Sequence, residues 1–252
     1  MKNKITSLAV FILLSSVLFS QTDKKPSRYM VMEDIVPYNK TTEYEKAQKN
    51  INEYILKNKL GFKWDAYQSD DNTYMYLVPF SSFSDIDKLY QAWDEKMKSV
   101  NQDEFGKLTN AFVGTIDHNN NIIIEQNEST YNPKSPYLTR EKTAFLHWDF
   151  FEIIPGKEKE AWGLMKEYKA MCEKENIDVP FHVWSVNFGE HTSTIIITTP
   201  ATGDIDFYTH NKATDDKLMK APGGMELYGK FMDCVKKFNH FNGRPRPDLS
   251  IK

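Results

Sequence analysis

The chain has 252 residues, 40% hydrophobic and 27% charged, and its 32 Lys and Arg set against 35 Asp and Glu leave a formal charge of −3. This mildly acidic balance offers no basic footprint for phosphate backbones or anionic lipid, and argues against nucleic acid or a membrane surface as a partner. The length allows one large domain or two of ordinary size.

Lys2 and Lys4 precede an apolar run over residues 5–14, and Ser15, Ser16 and Ser20 supply a small-residue exit before Gln21. The pattern predicts a cleaved secretory signal peptide over residues 1–20, and so an exported protein, periplasmic or extracellular. Its removal would take the charge to −5. The remaining sequence has no stretch long enough to span a bilayer.

A first unit is predicted over residues 27–132. Residues 28–36 read as a strand closed by Pro37, and Tyr44, Ala47, Ile51, Tyr54 and Ile55 recur at helical spacing after a cap at Asn39, Thr41 or Thr42. Strands over 62–68 and 73–78 flank the polar turn Ser69-Asp70-Asp71-Asn72. Ser84 is expected to cap a helix with Ile86, Leu89, Tyr90, Trp93 and Met97 on its buried stripe. A short helix after Asn101 and a strand over 121–125 complete the unit. The order is strand, helix, strand, strand, helix, strand, which is ferredoxin-like.

Pro133 and Pro136 keep a linker, residues 133–142, extended. The second unit, residues 143–252, repeats the order, with strands over 144–154, 180–188 and 193–199. Asp85-Ile86-Asp87 matches Asp204-Ile205-Asp206, Phe105-Gly106-Lys107-Leu108 matches Tyr228-Gly229-Lys230-Phe231, and Trp64 matches Trp184. The offsets lie between 118 and 123 residues. Two copies of one unit are therefore expected.

This element order, with the closing Arg244-Pro245-Arg246-Pro247-Asp248-Leu249-Ser250, resembles the dimeric α/β-barrel superfamily. That superfamily includes NIPSNAP-like proteins and antibiotic-biosynthesis monooxygenases. The resemblance implies an α+β fold in which two ferredoxin-like (βαββαβ) repeats pack sheet to sheet as a pseudo-dimeric α/β barrel within one chain. It implies a small molecule held between the sheets and, for an enzyme, cofactor-independent oxidation with a base such as His147. Haem, which some branches hold, would need His147 or His182 as the ligand; otherwise no cofactor is expected. A contrasting possibility is a non-enzymatic module, its barrel filled by aromatic side chains and its surface meeting another envelope protein.

Strand alternation supplies candidate lining residues. His147 and Asp149, with Phe151, are expected to face the interior, while Leu146, Trp148 and Phe150 pack against helices. His182 and Trp184 join them, with Tyr29, Val31, Glu33, Trp64, Tyr74 and Tyr76 from the first copy. The His147–Asp149 pair is a candidate base with an orienting carboxylate, against the plainer reading of polar residues in a wet interior. His118, His191, His210 and His240 fall in predicted turns or helix ends and receive no role. The spacing of His, Cys and acids suggests no metal site. Cys172 and Cys234, placed in helical patterns, are expected as buried free thiols.

Overall fold

The computed structural model describes residues 28–189 and 192–252; the segment expected to be a signal peptide, and His191, lie outside the described residues. In the first half, β1 (Arg28–Ile35), β2 (Asp65–Ser69), β3 (Thr73–Phe80) and β4 (His118–Gln126) alternate with α1 (Thr41–Lys57), α2 (Phe83–Met97) and α3 (Gln102–Asn110). In the second, β5 (Phe145–Ile153), β6 (His182–Phe188), β7 (Thr194–Ala201) and β8 (Val235–Pro245) alternate with α4 (Glu158–Lys174), α5 (Asp204–Lys220) and α6 (Gly224–Met232). Among the described residues no helix is long and apolar enough to cross a membrane.

All eight strands form one closed antiparallel barrel in the order β1-β3-β2-β8-β5-β7-β6-β4. Each half contributes four strands in the same order, β4-β1-β3-β2 and β8-β5-β7-β6. The two four-strand sheets face one another across a shared interior cluster, and they also join edge to edge. Tyr67 to Ser69 of β2 pair with Gly243 to Pro245 of β8, and Ile123 to Gln126 of β4 pair with β6 through a bulge. Closure satisfies backbone groups that two separate sheets would leave at their edges.

At the first seam Gly243 has a specific task. A Cβ there would lie 2.2 Å from Gln68 O and 2.6 Å from the Trp148 ring, so the missing side chain lets β2 and the indole approach.

The halves correspond strand by strand, but the sequence matches are out of structural register. Leu77 pairs with Asp65 as Thr198 pairs with His182, which aligns Trp184 with Tyr67 and Trp64 with Phe181. Trp64 and Phe181 each form an isolated bridge just ahead of their strand. The two Asp-Ile-Asp motifs are likewise displaced. Ser82, not Ser84, caps α2, and Asp85 accepts from its backbone N–H, whereas at α5 the residue reaching back is Asp206, to Thr202. Each aspartate follows from helix-start chemistry. Pro79 and Pro200 continue their strands instead of ending them; each lies beyond the pairing with β2 or β6, where no ladder donor is required.

Cys234 sits after α6 rather than within a helix, and leads into β8. The linker is packed: Tyr137 stacks on His210 at 4.0 Å, and its hydroxyl donates to Pro200 O. Cys172 and Cys234 are buried free thiols, with burial pushing Cys172 up to about 12.

Candidate functional site: a cavity at one end of the barrel

The barrel encloses a cavity of about 230 Å³. Strand pairing arranges its lining in layers, because directly opposed residues on neighbouring strands point the same way. Ile35, Thr73 and His118 form the rim on one side, and Glu152, Thr194 and Lys237 on the other. One layer down lie Glu33, Met75 and Asn120, facing Phe150, Ile196 and Asn239. Deeper, Ile122, Trp148 and Phe241 make an apolar floor, buried with Val31, Ile124 and Val186. Tyr29 packs edge-on against Trp184, 5.7 Å between centroids, in the same apolar cluster.

Two polar features stand out. Among the described residues, Glu33 is the ionisable side chain that lines the cavity below the rim. At the rim Thr194, 5% exposed, has a buried hydroxyl with no hydrogen-bond partner among the described residues. A hydroxyl in this position can donate to or accept from a group held in the cavity. Glu152 is held at the mouth by Lys236, 2.7 Å away.

Of the residues singled out by alternation, Tyr29, Val31, Glu33 and Trp184 face the interior, and His182 stands beside Trp184 with Nδ1 3.1 Å from Gln126 Nε2. The others do not. Trp64 packs in the helix-side core and donates from Nε1 to Leu249 O. Tyr74 and Tyr76 lie in the same core, the Tyr76 hydroxyl 2.7 Å from that of Tyr44.

The faces of β5 are exchanged relative to expectation. Trp148 and Phe150 line the cavity, with Leu146 in the interior cluster, whereas His147, Asp149 and Phe151 face the helices. The reason is that β5 is apolar-lined on both sides, so the polar pair does not mark the interior. His147 is accommodated by stacking on Phe207 of α5 at 4.3 Å.

His147 Nδ1 lies 2.7 Å from Asn242 Oδ1, and Nε2 lies 3.1 Å from Asp149 Oδ1. The Asp149 carboxylate accepts from the Nε2 N–H, and Asn242 holds the other side of the ring. Desolvation opposes a charge on the ring, but the bonds to Asp149 and Asn242, with the charges of Asp149 and Asp70, hold its pKa above the ordinary value. Stacked on Phe207 at the helix side, the ring is turned away from anything held in the cavity. His240 lies within β8 and His210 within α5, not in turns or helix ends. No group of three or more His, Cys, Asp or Glu among the described residues is arranged to hold a metal.

Sequence reasoning missed Phe150, Trp148, Asn120, Asn239, Phe241 and Thr194. The alternation Lys237, Asn239, Phe241 against Phe238, His240, Asn242 carried the signal for β8, masked by its low β-branched content.

The fold is similar to that of dimeric α+β-barrel proteins of known structure. An anthrone oxidase-like protein matches with a TM-score of 0.57 at 10% identity, covering 89% of this chain and 92% of that one. A mutant chlorite dismutase from Candidatus Nitrospira defluvii matches at 0.51 and 12% identity, covering 89% and 94%. A protein of Lactobacillus acidophilus NCFM, provisionally called a monooxygenase, matches at 0.50 and 12% identity, covering 88% and 94%. At such identities the likeness is one of fold. No family model matches the chain, and no curated protein matches it.

Haem, which the sequence resemblance raised, does not fit the cavity in this arrangement. About 230 Å³ falls below the roughly 300–1,000 Å³ of pockets that take drug-sized ligands, and a porphyrin is a large member of that class. His147 faces away from the interior with both nitrogens engaged, and His182 packs against Trp184.

Proposed function

We propose that this chain is an exported binding barrel for a small, partly apolar molecule, held between the rim formed by Thr194 and Glu152 and the floor formed by Trp148 and Phe241. The observation that carries the reading is the unpartnered Thr194 hydroxyl in a cavity otherwise lined mostly by apolar side chains. A filled barrel of the kind a purely structural module would have leaves no such volume and no such orphan. The cavity size suits a ligand of one or two rings.

The ligand-binding roles of Tyr29, Glu33, His182 and Trp184 belong to this proposal, as the interior-facing members of the expected set. Trp64, Tyr76, His147 and Asp149 act from the helix side, by supporting the barrel wall. Export rests on Lys2, Lys4 and the apolar run that follows, and descent from a duplicated NIPSNAP-like unit rests on the shared strand order of the halves. The fold neighbours include proteins called oxidase-like and monooxygenase. An oxidative reaction here would use the cavity to position the substrate, without His147 as base.

Native mass spectrometry of the protein purified from its own organism tests the reading. The expected result is a mature chain lacking residues 1–20 that carries a noncovalent small molecule. A ligand-free chain that also takes up none from an extract of its own cells would contradict it.

A further inference from the structure

We infer that the ligand of the barrel cavity is an uncharged aromatic molecule with one hydroxyl or carbonyl oxygen, that oxygen bound by the Thr194 hydroxyl and the ring laid on Trp148, Phe150 and Phe241. This deepens, and rests on, the binding reading above. The starting point is how the polar groups around the cavity are already used. Glu33 and Asn120, below the rim, each have an interaction partner, and so does Glu152 at the mouth, where Lys236 lies 2.7 Å away. Asp71 accepts from the Ser69 hydroxyl and from the Thr73 backbone N–H. Thr194 differs from all of these. It is 5% exposed, and its buried hydroxyl has no hydrogen-bond partner among the described residues. The β5–β7 register sets it opposite Glu152 and on the same face as Ile196, within the cavity lining.

A buried hydroxyl without a partner destabilises the empty barrel, and a ligand oxygen that bonds it removes that cost. Either a ligand hydroxyl or a ligand carbonyl serves, because the threonine can donate or accept. A charged ligand group gains nothing comparable. Leaving water is costly for an ion unless an opposite charge stands uncommitted beside it. A carboxylate would approach those of Glu33, Glu152 and Asp71, and an ammonium would have to compete with the partners these acids already hold. Lys237 does not reverse this preference, since it is exposed at the rim, opposite Glu152 in the β5–β8 ladder, where water weakens its pull. Asn239, one layer down, adds an uncharged amide. Below it the floor is apolar, so a second oxygen at the far end of the ligand would lose its water without replacement. The aromatic side chains there supply flat apolar area, and the cavity volume limits the ligand to about one ring system.

Calorimetric titration of the full mature chain with benzyl alcohol, toluene, benzylamine and benzoate at neutral pH separates the outcomes. Benzyl alcohol is expected to bind more tightly than benzylamine or benzoate. In Thr194→Val, which keeps the shape and removes the hydroxyl, benzyl alcohol is expected to bind about fivefold more weakly, the ordinary worth of one hydrogen bond, while toluene binds at least as tightly as before. Tighter binding of the amine or the carboxylate in the wild-type chain would overturn the uncharged class. A Thr194→Val chain that binds benzyl alcohol unchanged, or loses both uncharged ligands alike, would overturn the Thr194 contact. Each of these leaves the cavity reading standing, whereas binding of none of the four would overturn both. The wild-type comparison decides the charge of the ligand even where Thr194→Val fails to fold.

Discussion

The two halves share a topology and differ in what lies between sheet and helices. Under α4 and α6 the second half is an apolar core, with Ile153, Leu164, Cys172, Val183 and Ile195 buried together. Under α1 the first half adds a polar network to its apolar clusters. Tyr44 donates to Asp34 and contacts Tyr76, Tyr74 donates to Glu45, and Arg246 binds Glu45, Gln68 and both oxygens of Asp248. Arg246 and Asp248 belong to the tail that follows β8, and the same tail bridges Trp64 through Ile251. The second half therefore completes the first. Apolar packing keeps one half together by volume, whereas the other depends on a hydrogen-bonded set supplied from across the barrel.

Breaking the polar half at its hub is expected to have the largest effect. Arg246→Ala leaves Glu45 to Tyr74 and Asp248 to Lys49, removes the buried guanidinium that joins them, and is expected to cost about 3 kcal/mol, read as a lowered midpoint in chemical denaturation; a loss below about 1 kcal/mol would mean the tail is dispensable. Next is the seam. Gly243→Ala forces its methyl against Gln68 O and Trp148, an overpacking expected to cost about 1–3 kcal/mol and to disturb ligand binding through the indole. Smaller and diagnostic is a matched pair, Tyr76→Phe in the polar half and Ile195→Val in the apolar half, each expected to cost about 0.5–1.5 kcal/mol. Double variants with Arg246→Ala sharpen the contrast. The Tyr76 loss should change in that background because it shares a network, while the Ile195 loss should add.

The smallest expected effects are pH dependences of opposite sign. Hydrogen bonds from Arg246 hold the Glu45 and Asp248 carboxyls below their usual range. Their stabilisation is present above the unfolded carboxylate values, near 4, and is lost as pH falls through the depressed folded values. The raised His147 works the other way. Its contribution is complete below the unfolded imidazole value, near 6.5, and is lost as pH rises through the elevated folded value. Stability measured against pH should fall at the acid end less steeply in Arg246→Ala, and at the neutral-to-alkaline end less steeply in His147→Gln; unchanged profiles would contradict the assigned partners.

Much of the architecture was legible in the chain. Element order and the short helix after Asn101 follow from local chemistry that tertiary contacts leave intact. The repeat was legible as an order of elements and misleading as residues: Trp64 matches Trp184 in sequence, yet one lies under helices and the other inside the barrel, since a strand offset by one residue exchanges faces. The cavity was harder to read for a related reason. Inside a closed barrel both faces of β5 are buried, so Trp148 and His147 are not distinguished by polarity, and burial of the histidine depends on Phe207 and Asn242, distant in sequence. Glu33 was readable because β1 carries an acid where its neighbours on that face are apolar.

The central claim is that the interior, not the helix-side cores, receives the ligand. Methyl-resolved NMR of Met, Ile and Leu groups during titration with benzyl alcohol tests it most directly. The methyls of Met75, Ile122 and Ile196 should shift in proportion to occupancy while those of Ile153, Leu164 and Leu249 stay still. Shifts confined to the helix-side methyls, or none at saturation of the probe's solubility, would contradict it.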